Sequence, residues 1–220
     1  MNASARTSSD QSAPPAASWV YAEDFVAEPE AASTAREAAE RLGVTAVGRG
    51  TASALTLLAH AVQARAVVEV GTGSGVSGLA LFAGMRRDGI LTSVDIETEH
   101  QQSARKAFLS VGIPTQRFRL ISGAALTVLP KLSDGAYDVV FIDADKLEYA
   151  EYVDQALRLL RHGGVLAVAG ALRADRTAEG SDTAEEAEAV RTALDAISEN
   201  EDLVPALLPV GDGLLVAIKR

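Results

Sequence analysis

VVEVGTGSGVSG, residues 67–78, decides how this chain folds. A short β-branched run ends at Gly71, and glycines recur at 73, 75 and 78 before an apolar, helix-like stretch begins. Such glycines let the backbone turn sharply and approach a ligand, with the N–H groups of the following helix pointing at it. Gly73, Gly75 and Gly78 fit the dinucleotide pattern G-x-G-x-x-G, but the glycine that closes the strand is Gly71, so the match is offset. Glu69 sits inside the strand. A carboxylate there is costly to bury without a partner. A ligand amino group or hydroxyls would supply one, whereas a pyrophosphate would not.

Outward from this stretch, strands and helices alternate. AVVEV (66–70), ILTSVD (90–95), RFRLIS (117–122), YDVVFID (137–143) and GVLAVA (164–169) read as strands. Helical patterns separate them at about 76–87, 97–111, 124–132 and 148–161. This alternation predicts an α/β fold, a mostly parallel sheet with helices on both faces. The end differs: LVPALLPV (203–210) and LLVAIKR (214–220) flank GDG and read as an antiparallel hairpin closing the sheet edge. Helices are also predicted at 30–42 and 51–63, ahead of the first strand. The polar, acidic stretch 174–188 reads as a solvated loop entering a helix, with a flap over the site as the functional alternative.

Composition bounds the function. With 220 residues, 48% of them apolar, the chain suits one domain. Its net charge of -10 repels phosphate backbones and argues against a nucleic acid partner. The absence of cysteine excludes disulfides and thiolate chemistry. No apolar run approaches the ~20 residues that span a bilayer. The Ser/Ala/Pro-rich residues 1–18 read as a disordered tail without a signal core, so a cytoplasmic location is expected. Residues 19–220 read as one domain, 19–63 as N-terminal helices and 64–220 as a ligand-binding core.

Asp95 ends the second strand, about 20 residues beyond the glycines, where an acidic side chain accepts hydrogen bonds from ribose hydroxyls. The bland alternative is a helix cap. Together these features point to a nucleoside ligand lacking pyrophosphate. With VDI (94–96), FIDADK (141–146) and GDGLLVAIK (211–219), the glycine stretch resembles a class I S-adenosylmethionine-dependent O-methyltransferase. More narrowly it is similar to the catechol and caffeoyl-CoA O-methyltransferase branch, called family 3, from about residue 46 onward. The resemblance implies a Rossmann-like seven-stranded sheet with an antiparallel last strand, S-adenosylmethionine as cosubstrate, a small phenolic acceptor and a homodimer. It also implies roles. Val47, Glu69, Gly71, Thr72 and Ser77 would line the methionine and ribose, Asp95 would hold the ribose hydroxyls, and Ile96 and Ala124 would flank the adenine. Asp145 would help hold the cofactor, Asp143 would face metal or substrate, and Lys146 matches the proposed general base.

The chain departs from that pattern most plainly after the fifth strand. The metal-dependent family adds an Asp-Asn pair after the fifth strand, and here those positions fall on Ala169 and Gly170, which cannot ligate through a side chain. Asp143 alone is a poor magnesium site, because such ions want several oxygen ligands. No divalent metal is therefore expected, and Lys146 is expected to act as a counter-ion or acceptor anchor. The three histidines, His60, His100 and His162, are scattered in sequence, and His162 reads as a helix C-terminal partner. Two other readings stay open at this point: a cofactor-binding protein without catalysis, and a nicotinamide-dependent oxidoreductase resting on the offset glycine pattern alone.

Overall fold

The computed structural model describes residues 16–172 and 185–220. Most of the predicted tail and of the acidic stretch 174–188, with its flap alternative, lies outside the described residues. The chain opens with α1 (Ala16–Glu23), α2 (Glu30–Leu42) and α3 (Arg49–Ala61). The alternating part follows: β1 (Ala66–Val70), α4 (Val76–Gly84), β2 (Ile90–Asp95), α5 (Thr98–Ser110), β3 (Phe118–Ser122), α6 (Ala125–Val128), β4 (Tyr137–Ile142), α7 (Tyr149–Leu159) and β5 (Leu160–Ala169). It ends with α8 (Glu185–Glu199), β6 (Leu203–Leu208) and β7 (Leu214–Lys219).

The strands form one seven-stranded sheet in the order β3-β2-β1-β4-β5-β7-β6. β1 to β5 run parallel, and β7 is antiparallel to both β5 and β6. Strand order reverses between β1 and β4, so the loops after these strands part there and leave a crevice. The predicted α/β class and reversed last strand are what the chain forms.

Strand side chains alternate between two cores. Val67, Leu91, Val139, Phe141 and Val165 pack with α3, α4 and α5 on one face. Val68, Val94, Val140, Ile142 and Leu166 pack with α7 and α8 on the other. Burial on both faces is why these strands read as continuous apolar runs. By the same alternation Glu69 shares a face with Val67 and turns toward α4.

Several boundaries differ from the sequence reading. α1 begins at Ala16, inside the stretch expected as tail. α7 stops at Leu159, because Leu160 already pairs with Tyr137 as the start of β5. His162 therefore lies on a strand, with its Nδ1 against the Arg220 carbonyl, and partners no helix end. The predicted hairpin does close the sheet, with β7 inserted between β5 and β6, so that β6 is the edge strand. Among the described residues no helix is long and apolar enough to cross a membrane.

Candidate active site

The crevice between β1 and β4 holds a cavity of about 360 Å³, lined by the loops after β1, β2 and β4 and by residues 44–47 ahead of α3. That volume suits a compact ligand, since small-molecule pockets span ~300–1,000 Å³. The glycine at the head of the loop is obligatory. Gly71 has φ 92°, and a Cβ there would stand 2.0 Å from the Asp143 carbonyl oxygen. The end of β4 thus lies directly against the loop after β1, tied by the Asp143 N–H to the Val70 carbonyl at 2.8 Å.

Asp95 pins the loop from the side. Its Oδ2 accepts from the Thr72 and Gly73 backbone N–H groups at 2.9 and 3.0 Å, and its Oδ1 accepts from Glu97 N–H at 2.9 Å. His100 Nδ1 lies 3.3 Å from each oxygen. The carboxylate therefore shapes the glycine loop and the turn into α5, and of its about four lone-pair sites one, on Oδ1, is left for His100 or a ligand hydroxyl. Beside it Ile96 is exposed at the cavity rim, a ready apolar face for a base. Ser74 turns an unengaged polar group to the cavity. It lines the cavity, is 2% exposed, and its hydroxyl has no partner among the described residues. On the far wall, Arg36 of α2 donates to the Val47 carbonyl at 2.8 Å and to Glu28, which holds residues 44–47 in place.

Glu69 stands behind the wall, not in it. It has no exposed surface, and its oxygens accept from Ser77 Oγ at 2.6 Å and Ser93 Oγ at 2.5 Å. Burial, above all, pushes its carboxyl up to about 7, the two serine hydroxyls pull it down, and Asp143 and Asp95 add to the rise.

A second cluster adjoins the cavity at the end of β4. Lys146 Nζ donates to Asp143 Oδ1 and the Ala144 carbonyl, both at 3.3 Å, and to the Tyr149 hydroxyl. Tyr149 is buried, and its hydroxyl donates to the Ala169 carbonyl at 2.9 Å. Three acceptors around one nitrogen match the three donors of an ammonium and leave no lone pair turned outward. Burial raises the Asp143 carboxyl above its ordinary value, Lys146 opposes this, and Asp212 in the β6–β7 turn adds to it.

Among the described residues, the surroundings of Asp143 do not supply the several ligands a divalent ion wants. Ala169 offers a methyl group. Gly170 has φ 66°, and a Cβ on it would meet Lys146 Cε at 3.1 Å and Nζ at 3.3 Å. The lysine side chain occupies the space that a ligand at position 170 would need. Asp212 raises the Asp143 carboxyl from the β6–β7 turn, and Asp143 is already paired with the Lys146 ammonium.

Most sequence-predicted residues converge. Val47, Gly71, Thr72, Ser77, Asp95, Ile96, Ala124, Asp143 and Asp145 all line the cavity. Asp145 also caps the turn at Lys146–Glu148 by accepting from Leu147 N–H at 3.0 Å. Glu69 and Lys146 lie outside the lining, one behind α4 and the other beside Asp143. Sequence reasoning missed Ser74, His100, Glu148 and Tyr152, which also line it, together with Arg36, Tyr149 and Asp212. For His100 a signal existed: it lies five residues after Asp95, in the first turn of α5. Tyr152 donates to Glu148, and burial, then that carboxylate, push its phenol far above the ordinary value.

Comparison with known proteins agrees with this geometry. A family model described as O-methyltransferase matches residues 21–220. A probable O-methyltransferase of Mycobacterium tuberculosis (strain H37Rv) is 47% identical over 201 residues, covering 91% of this chain and 90% of that protein. Among solved structures, a Corynebacterium glutamicum protein superposes with TM-score 0.84 at 30% identity, covering 91% of this chain and 94% of that one. The O-methyltransferase TomG from Streptomyces achromogenes, involved in tomaymycin synthesis and solved in complex with S-adenosylmethionine, superposes with TM-score 0.82 at 28% identity, covering 92% and 96%. Neither the nicotinamide reading nor the reading without catalysis gains support from these relatives. With a family match over nearly its whole length and a cavity at the family's strand ends, the chain belongs to the S-adenosylmethionine-dependent O-methyltransferase family.

Proposed function

We propose that the protein methylates an oxygen of a small phenolic acceptor and does so without a divalent metal. The observation that carries this is Lys146, whose ammonium takes the place next to Gly170 and binds the carboxylate that a metal would need. S-adenosylmethionine, when bound, supplies an electrophilic methyl group on a cationic sulfur. The residues around the cavity then have three tasks. The glycine loop, held by Asp95, fixes the donor's position. Residues 44–47, held by Arg36, close the opposite wall. Lys146, held by Asp143 and Tyr149 beside the cavity, adds a positive charge that favours the acceptor oxygen as an oxyanion.

A fixed ammonium can attract an oxyanion, yet it cannot take both oxygens of a catechol and lower their pKa as a Lewis acid does. The acceptor must therefore bring its own acidity. The test is methyl transfer to a panel of phenols and catechols, with magnesium titrated from zero and in excess chelator. The expected result is turnover that persists in chelator and favours the more acidic phenols. Saturable dependence on magnesium, abolished by chelator, overturns the metal-free reading. Absence of turnover on every phenol overturns the acceptor class.

A further inference from the structure

Glu69 is the sole charged residue of β1 and α4 together, and the site geometry gives it no ligand to touch. Hydroxyls alone hold it. Ser77 and Ser93 take its two oxygens, and Ser93 Oγ lies 2.7 Å from Thr72 Oγ1. Ser77 and Thr72 both line the cavity, so the buried carboxyl is one hydroxyl from the cavity through Ser77 and two through Ser93 and Thr72. The charged groups that act on it are Asp143 at the end of β4 and Asp95 at the end of β2. Lys146 engages the first of these and His100 the second. A sealed carboxylate facing two others holds a proton unless a cation arrives.

We propose that Glu69 is a specificity-determining residue that tells the cationic cosubstrate from its neutral product by exchanging one proton with solvent. The hydroxyl chain carries the signal. With Glu69 ionised, Ser93 donates to it and must accept from Thr72, which leaves Thr72 only acceptor capacity. With Glu69 protonated, its hydrogen goes to a serine. Where Ser93 takes it, Ser93 donates to Thr72, and the Thr72 hydrogen is left over. The wall at Thr72 thus turns from acceptor to donor. S-adenosylmethionine carries one positive charge more than the S-adenosylhomocysteine left after transfer. Loading therefore expels the Glu69 proton to solvent, and loss of the sulfonium charge draws one back, which disfavours the cationic form until the product leaves.

The inference rests on the cofactor reading, and calorimetry tests the two separately. Titrations at pH 7 in two buffers of different ionisation enthalpy count protons. With Glu69 titrating near 7, wild-type protein should release about half a proton more than Glu69→Gln on binding S-adenosylmethionine, and no more on binding S-adenosylhomocysteine. The variant controls for titration of the ligand's own amino group. From pH 6 to 8, wild-type affinity for S-adenosylmethionine should gain up to about tenfold over the variant, with the product flat. Should Glu69→Gln not fold, infrared spectroscopy on the wild-type protein gives the same answer: a protonated-carboxyl band lost on adding cosubstrate and kept on adding product. Equal proton counts for the two ligands, or a band indifferent to both, overturns the proposal while leaving the cofactor reading intact. Binding of neither ligand overturns both.

Discussion

Replacing Asp95 should cost the protein its glycine loop as well as a ligand contact. The side chain is 9% exposed, and its carboxylate accepts three backbone N–H groups. Asp95→Ala leaves the Thr72 and Gly73 N–H groups, both part-buried, without an acceptor. Each orphaned donor costs ~1–3 kcal/mol, while Glu97 N–H is exposed and turns to water. The sum is about 2–6 kcal/mol, and at roughly 2–4 °C per kcal/mol for a chain of this size the midpoint should fall by about 4–24 °C. Asp95→Asn separates the two roles. Its amide oxygen can take over the bonds from Thr72 and Gly73, and its NH₂ then stands where Glu97 N–H donated. Stability should fall by about 1 kcal/mol or less, but the charge is gone and a donor replaces an acceptor. Cosubstrate affinity should therefore drop by about tenfold or more in both variants, since ~1.4 kcal/mol is tenfold. Thermal melts without ligand, followed by calorimetry, read the two effects. An Asp95→Ala protein that melts with the wild type while losing affinity would refute the loop-holding role and leave Asp95 as a ligand contact only.

Three further outcomes follow from the same geometry. Because the Glu69 carboxyl is raised from 4.5 to about 7, the native state binds more protons than the unfolded one between those values, and stability falls as pH rises through that window, by up to about 3 kcal/mol. Ligand-free Glu69→Gln should escape this loss, so its melting advantage over wild type should widen from pH 5 to pH 8, and a constant gap would refute the assignment. Tyr149→Phe removes the hydroxyl that positions Lys146 and supplies the Ala169 carbonyl; kcat should fall by about tenfold with cosubstrate affinity unchanged, and an unchanged kcat would refute the positioning role. We also expect a homodimer, because α1 exposes Val20 and Tyr21, the turn after it exposes Phe25, and the β6 edge exposes Val204 and Leu207; light scattering at micromolar concentration that reports about 23 kDa would refute it.

The parts legible in the sequence are those that local pattern dictates. The two-faced strands announce themselves as apolar runs, and the glycine stretch marks the point where Gly71 must pass under the Asp143 carbonyl. Asp95 could be placed because a strand end fixes its neighbours. What the sequence hid depends on distances between segments far apart in it. Arg36 reaches Val47 across 11 residues, and Tyr149 reaches Ala169 across 20. Glu69 was assigned to the ligand because a buried carboxylate demands partners; the partners are Ser77 and Ser93, and no spacing rule pairs residue 69 with a hydroxyl 24 residues on. Strand alternation held a usable hint, since it turns Glu69 to the same face as Val67, toward α4. The helix-cap alternative for Asp95 fails, because α5 starts at Thr98 with Glu97 as its N-cap and no side-chain cap; the carboxylate instead holds the glycine loop and the turn at Glu97.

Lys146 and Glu69 together say how this site manages charge. Methyl transfer from a sulfonium to an oxyanion destroys a pair of opposite charges, so a site that stabilises both ions too well slows the reaction. A dication at Asp143 would hold the acceptor oxyanion strongly and sit close to the cationic sulfur. An ammonium shared among Asp143, Ala144 and Tyr149 is a weaker, more dispersed positive charge. It is part of the chain, so the site needs no second ion to assemble before chemistry. On the donor side, the negative charge answering the sulfonium is removable, because Glu69 can take a proton as soon as the sulfur is neutral. Each reactant ion then faces a partner that is modest or temporary. What the arrangement gives up is Lewis acidity, and that is why the acceptor, on this reading, must arrive already disposed to ionise.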